Sequence, residues 1–341
     1  MASSQTTLKS IAERLGLSVT TVSRVLNGRA RKYRISEKTE EAVMEVARRL
    51  NFLPNQLARG LRLNRTLTIG LVIPDISNTF FANIARNVET EARKRKYSTI
   101  LCDSGENTEL EIESLELLRS RKVDGLVLSP VGEMAAHLKK YENSELPIVI
   151  VDRYLPDLKL PYVASDNYKG AHNAVSFLIE NGHKTIACIQ GLRKTMPNIE
   201  RLRGYEDALK QHRIQLDKSL IVGNDFGQDN GYIQTKLLLS TRRDVTAILA
   251  LSNLISLGAL RAIQEEGLNV PGDISIISFD DQPYSAYLAT PMTTVAQNNA
   301  EMGRVAVQLL FDQIDSPQPL QTRGLLLPTE FIERKSVRRL H

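Results

Sequence analysis

At 341 residues, with 42% apolar and 24% charged side chains, the chain has the make-up of a globular protein and exceeds what one core usually serves, so two or three domains are expected. Residues 1–65 carry 13 Lys and Arg against 5 Asp and Glu, a net of +8, and the remainder carries 31 against 34, a net of −3. The basic excess lies in the first fifth, which points to a polyanion partner for that segment. The uncharged span that is the candidate for a membrane crossing, residues 245–260, is 16 long and includes Thr246, Ser252, Asn253 and Ser256, too short and polar to cross a bilayer.

Taken in order, residues 1–7 lack the basic start and apolar run of an export signal, so the cytoplasm is the expected address. Leu8, Ile11, Ala12 and Leu15 then recur at helical spacing, with Thr7 as N-cap and Gly16 as stop. Ser18 caps a second predicted helix, which carries Val22, Val25 and Leu26 on one face and leaves Val19, Thr20, Ser23 and Arg24 on another. Two short helices joined by a Gly-containing turn match a helix-turn-helix, whose second helix enters the major groove. A loop at residues 27–34, NGRARKYR, sets Tyr33 among Arg29, Arg31, Lys32 and Arg34 and is read as a phosphate-contacting element. Ser36 caps a third helix that turns Val43, Val46, Ala47 and Leu50 inward to complete a small core.

Asn55 then caps a short segment over residues 56–63 in which Leu57 and Leu61 are four residues apart. Gly60 in its middle costs about 1 kcal/mol relative to alanine. A helix under three turns long is marginal alone and folds only when something packs on it.

On these residues, LKSIAERLGLSVTTVSRVLNG, RISEKTEEAV and LNFLPNQLARGL, the chain resembles the LacI family of bacterial transcription regulators; its long basic loop is similar to that of the subgroup containing the fructose repressor (catabolite repressor/activator). The resemblance implies that Val19 and Thr20 face base edges with Arg24 nearby, and that Thr21, Ser23 and Asn27 contact backbone or flanking bases. Ser18, Arg31 and Tyr33 complete the expected DNA-binding set in the head. It also implies that the hinge segment, through Asn55, Leu57, Ala58 and Arg59, lies in the minor groove, with Leu61 wedging between base pairs at the operator centre. By chemistry, Arg24 is able to fork onto guanine, whereas Val19 offers only an apolar contact to a thymine methyl.

From Leu67 onward, apolar runs alternate with helical stretches. TIGLVIP, STILCD, DGLVLSP and LPIVIVD read as buried parallel strands, separated by helices beginning near Asn78, Glu106 and Met134. KTIACIQG, SLIVGND, VTAILAL and DISIISFD form a second set. Cys102 and Cys188, each within an apolar run, read as core residues. The predicted fold class is α/β: a three-helix helix-turn-helix head (residues 1–53) and hinge helix (54–64), joined to a two-lobed, periplasmic-binding-protein-like body (65–341) with parallel sheets. Its lobes are expected at residues 65–164 plus 292–324 and 165–291 plus 325–341.

Ligands of open parallel sheets sit beyond the carboxyl ends of the strands, so the strand-end loops are where a site is sought. Their aromatic, carboxylate, amide and guanidinium groups suit a polyhydroxylated ligand. The resemblance implies closure of the lobes on a small-molecule effector, a sugar or sugar phosphate, with matched positions Phe80, Phe81, Asp152, Arg201, Phe226 and Asp280; Arg153, Ser252 and Asn253 lie in the same loops. Where the family commonly has Asn-Asp, this chain has Ser252 and Asn253 and so lacks a carboxylate. Arg193 and Lys194 are candidates for an anionic group or for plain surface charge.

Enzymatic readings lack support. The first strand is followed by no G-x-G-x-x-G or phosphate loop, none of the five histidines sits in an H-E-x-x-H arrangement, and the cysteines lack metal spacing. Asp280 and Asp281, as strand-end neighbours, diverge. No cofactor, metal or catalytic residue is expected. The expected function is a sequence-specific transcription regulator, a repressor whose operator affinity is set by an effector, working as a nucleoid-associated homodimer on a pseudo-palindromic double-stranded operator and without membrane contact. A sugar-binding protein with no regulatory role and a carbohydrate-acting enzyme are the alternatives.

Overall fold

The computed structural model describes residues 7–50, 52, 65–132, 136–316 and 324–340. It divides into two compact units, Met1–Thr66 and Leu67–His341. The hinge positions Asn55, Leu57, Ala58, Arg59 and Leu61 lie outside the described residues, as does Met134.

In the first unit, α1 (Leu8–Leu15) is capped by Thr7, whose hydroxyl accepts from the Ser10 amide at 3.2 Å, and ends at Gly16 in the left-handed region at φ 63°. α2 (Val19–Leu26) and α3 (Glu37–Arg49) begin on Ser18 and Ser36, which accept from the Thr21 and Thr39 amides at 3.0 and 3.2 Å. Each cap satisfies one of the four amides a helix start leaves open. Ile11, Ala12, Val22, Val25, Val43 and Ala47 form the core, with Leu26, Val46 and Leu50 at its margin. The basic stretch is more ordered than a loop. Ala30 is buried in the same core and holds a single 3-10 turn, Arg31–Tyr33.

The second unit contains two six-stranded sheets. The first joins β1 (Thr68–Ile73), β2 (Ser98–Asp103), β3 (Gly125–Leu128), β4 (Ile148–Val151), β5 (Tyr162–Ser165) and β11 (Gly324–Leu327) in the order β11-β5-β4-β3-β1-β2, all parallel. The second joins β6 (Ile186–Ile189), β7 (Ile221–Val222), β8 (Ala247–Ala250), β9 (Ser275–Phe279), β10 (Thr293–Ala296) and β12 (Glu330–Ile332) in the order β12-β10-β9-β8-β6-β7, with only β12 antiparallel. Strands such as GLVL, IVIV and AILA are buried along their whole length because helices cover both faces. These helices are α4 (Thr79–Lys94), α5 (Thr108–Ser120), α6 (Asn167–Glu180), α7 (Met196–Gln211), α8 (Gln228–Thr241), α9 (Asn253–Glu265) and α10 (Asn299–Asp315).

Three expectations are corrected. In the described part of the β3–β4 connection the only helical element is one 3-10 turn, Lys139–Tyr141, where a full helix was anticipated near Met134. β10 belongs to the second sheet and β11 to the first, so the chain recrosses near residues 297–298 and 328–329, not at 292 and 324. β5, β10, β11 and β12 were not anticipated: they are at most four residues long, β5 (YVAS), β10 (TTVA) and β12 (EFI) mix polar and apolar residues, and β11 (GLLL) is mostly exposed at the edge of its sheet. Cys188 is buried in the second lobe's core, whereas Cys102 is only partly buried against the first lobe's.

Candidate functional site

On the head, α2 presents the expected reading face. Val19 is 44% exposed at its first position. Val19, Thr20, Ser23, Arg24 and Asn27 share a shallow concavity with Leu8, Arg29 and Tyr33. Ser18 and Thr21 engage each other through their hydroxyls at 2.8 Å in the cap, and the Asn27 amide donates to the Ser23 carbonyl at 2.5 Å to close the helix end, so these side chains also serve the helix itself. The Arg24 guanidinium lies 3.9 Å from the centroid of the Tyr33 ring. Arg31 is exposed and outside this concavity, whereas Arg29, not singled out from the sequence, lines it. The loop's cations look alike in sequence; the turn at Ala30 decides which one faces α2.

In the body, a cavity of about 660 Å³, open mouth included, is lined by the segments that follow the carboxyl ends of the strands of both sheets. Asp75, Asn78, Phe80 and Phe81 follow β1, Glu106 follows β2, and Asp152 and Arg153 follow β4. From the second lobe come Leu192, Pro197 and Arg201 after β6, Asp225, Phe226 and Gly227 after β7, Ser252 and Leu254 after β8, Asp280 after β9 and Gln297 after β10. This is the position at which open parallel sheets take ligands.

Each lobe contributes an aspartate in the left-handed region at the end of its fourth strand in chain order: Asp152 at φ 62° and Asp280 at φ 70°. Non-glycine residues adopt this conformation rarely, and such strain gathers at functional sites. Burial pushes the Asp152 carboxyl up to about 6, against the lowering pull of Arg153 and Arg201. Burial also raises that of Asp280, opposed by Arg201 and the Gln297 amide, which donates to Asp280 at 2.5 Å. Asp152 Oδ1 is buried with no hydrogen-bond partner among the described residues.

Both guanidinium groups are already engaged. Arg153 forks onto Glu106 through two bonds of 2.6 Å and lies 5.4 and 5.6 Å from the Phe81 and Phe226 ring centroids. Burial opposes its charge, and the Glu106 pairing outweighs it, so its pKa rises. Arg201 donates from Nε to Asn167 Oδ1 at 2.7 Å and from Nη1 to the Leu251 carbonyl at 2.6 Å, with its plane 4.0 Å above Phe279. Burial lowers its pKa against the raising effect of Asp280 and Asp152. The Phe226 ring rests directly on the Gly191 backbone, where an added Cβ would come within 2.1 Å of it.

Eight of the nine expected effector positions therefore line one cavity: Phe80, Phe81, Asp152, Arg153, Arg201, Phe226, Ser252 and Asp280. Asn253 does not; its amide reaches toward Thr79 at 3.5 Å across the lobes. Ser252 lines the cavity but its hydroxyl is occupied, accepting from the Ile255 amide and donating to the Phe226 carbonyl. Arg193 and Lys194 are exposed and outside the lining, which Leu192 supplies instead. Asp281 turns away from Asp280, onto Arg334 at 2.6 Å and Thr294 at 2.8 Å. Sequence reasoning missed the carboxylates Asp75, Glu106 and Asp225. Each follows a strand, but nothing local separated it from ordinary loop acids.

A helix-turn-helix unit ahead of a two-lobed body with a cavity at the strand ends is the build of a ligand-responsive DNA-binding regulator. Comparison with known proteins agrees. The model of bacterial regulatory proteins of the lacI family matches residues 7–55, and that of the periplasmic binding protein-like domain matches residues 175–337. A ribose operon repressor of Halalkalibacterium halodurans is 35% identical over 98% of this chain and 97% of its own length. The crystal structure of the lac repressor dimer bound to operator and the anti-inducer ONPF superposes with a TM-score of 0.87 at 27% identity, covering 98% of this chain and 99% of that one. A LacI-family regulator from Enterococcus faecium with bound ribose gives a TM-score of 0.73 at 29% identity, over 80% of this chain and all of the other. The chain belongs to the LacI family of bacterial regulatory proteins and is a DNA-binding transcription regulator. Among the described residues, no helix is long and apolar enough to cross a membrane.

Proposed function

We propose that this protein is a repressor that binds a pseudo-palindromic operator as a homodimer, and that a neutral polyhydroxylated sugar in the interlobe cavity sets its affinity for DNA. The observation that carries the choice of effector is the charge of the cavity. Its lining holds five carboxylates, Asp75, Glu106, Asp152, Asp225 and Asp280, against two guanidinium groups, Arg153 and Arg201. Arg153 is forked onto Glu106, and Arg201 donates to Asn167 and to the Leu251 carbonyl, so the protein already engages both cations that a phosphate would need. Buried carboxylate oxygens want donors, and sugar hydroxyls are donors; the Phe81 and Phe226 rings flanking Arg153 suit the apolar faces of a sugar ring. Of the sugar and sugar-phosphate classes expected from the sequence, the unphosphorylated one fits.

On the DNA side, Val19, Thr20 and Arg24 read base edges and the basic turn contacts phosphate. The hinge positions Asn55, Leu57, Ala58, Arg59 and Leu61 contact the minor groove. The lining of acids serves recognition, not catalysis, and the site of action is the cytoplasmic nucleoid.

Calorimetry of the full-length protein with ribose, other pentoses and hexoses, each beside its terminal phosphate ester, tests the effector class. A neutral sugar should bind at least about tenfold more tightly than its phosphate, a difference of about 1.4 kcal/mol, and should change affinity for a fluorescent pseudo-palindromic DNA. Tighter binding of the phosphate ester defeats the neutral-sugar reading. Binding of a sugar that leaves DNA affinity unchanged defeats the regulatory coupling.

A further inference from the structure

The Arg24–Tyr33 pair is unlike the other contacts of the head. Arg24 projects from the reading helix, and the ring beneath its guanidinium is its partner among the described residues, with no hydrogen bond or ion pair beside it. Tyr33 is 40% exposed, yet the turn that carries it is fixed at three points. Ala30 is buried in the head core, the Tyr33 amide donates to the Arg29 carbonyl at 3.2 Å, and the Ile35 amide donates to the Ala30 carbonyl at 3.0 Å. A stacked guanidinium keeps its in-plane N–H donors free, because stacking uses only the face of the group. An arginine free in solvent would instead lose rotamer freedom on reaching a base.

We propose that Tyr33 is a positioning residue for DNA reading: its ring holds Arg24 in the extended, edge-outward geometry needed to fork onto one guanine in each half-site. This rests on the reading of Arg24 as a base-contacting residue, and it gives the basic loop a second task beyond phosphate contact, that of setting sequence preference through α2. The ring performs the task, so the Tyr33 hydroxyl is dispensable for it.

The test uses full-length protein on an operator selected from randomised palindromic DNA. Competition anisotropy then measures affinity for symmetric substitutions at each half-site position, with far-ultraviolet circular dichroism on every variant. Arg24→Ala should abolish the preference for guanine at one position. Tyr33→Leu should reduce that same preference by about two- to fivefold per half-site, the range expected from loss of an exposed cation–π contact, while Tyr33→Phe retains it. Uniform weakening by Tyr33→Leu on every sequence, or an unchanged preference, overturns the proposal and leaves Arg24 as a reader without a positioned side chain. Loss of preference in Tyr33→Phe also overturns it, because the hydroxyl would then be the active group. If Arg24→Ala leaves every preference intact, the reading role of Arg24 fails and the proposal with it.

Discussion

Asp152 concentrates the chemistry of the cavity in one carboxyl. Its raised pKa of about 6 follows from burial, with Arg153 and Arg201 offsetting part of the cost. A sugar hydroxyl donates to the ionised form, so effector affinity should fall as pH drops below 6 and be about tenfold weaker at pH 5 than at pH 7.5, one proton being taken up per unit. Calorimetry across that range checks this, and Asp152→Asn should lose both most of the affinity and its pH dependence. The sign for stability is opposite. Because the folded pKa lies above the unfolded 3.8, the unliganded fold binds more protons than the unfolded chain between about pH 4 and 6, so this group's contribution declines as pH rises through that window. Asp152 and Arg201 were legible because the family resemblance marked them within the strand-end loops. Asn253, Arg193 and Lys194 sat in the same loops and do not line the cavity, since the direction of a side chain out of a loop is set by its neighbours.

At the level of elements, close helix pairing decides more than helix propensity. α8 and α9 approach until an added Cβ on Gly258 would lie 2.0 Å from the Gln228 carbonyl oxygen and 2.6 Å from the Tyr232 amide nitrogen. Alanine in a helix interior gains about 1 kcal/mol over glycine, but backbone cannot yield as a flexible side chain does, and overpacking costs about 1–3 kcal/mol or more. Gly258→Ala should therefore destabilise the body and lower its melting temperature by about 2–8 °C, read by calorimetric scanning; an unchanged or raised value would mean that the helices separate freely. Ser18→Ala, which removes the cap of α2, should cost the head about 1 kcal/mol and show as faster amide exchange in α2 with α5 unaffected. Long apolar runs announced their strands. The short strands did not: β5 and β10 are four residues long and mix polar with apolar side chains, and β11 and β12 join their sheets only after the chain recrosses between lobes, which no local pattern encodes.

For the whole molecule, the partition of charge is the controlling fact. With the positive excess confined to residues 1–65, DNA affinity should fall steeply with salt, each neutralised phosphate adding about −0.9 to the slope of log K against log salt, while sugar affinity should be nearly flat. Equal salt dependence of the two would break the division of labour. The hinge gives a complementary test. Leu61→Ala should weaken operator binding and leave the calorimetric affinity for the sugar unchanged, whereas equal loss of both would make Leu61 a packing residue of the body.

The sequence by itself determined the local grammar: the three capped helices of the head, the basic turn, the succession of apolar strands and the loops in which a site had to lie. Caps, periodicity and charge each act within a few residues, so each is readable in line. Only the tertiary structure decided the character of the cavity. Asp75, Glu106, Asp152, Arg201, Asp225 and Asp280 are spread over some two hundred residues, and their net negative charge exists only where two sheets bring their strand ends together. Likewise the pairing of Arg24 with Tyr33 depends on a turn pinned by Ala30 in the head's core. In both cases the property belongs to a spatial neighbourhood, and the order of residues along the chain does not contain it.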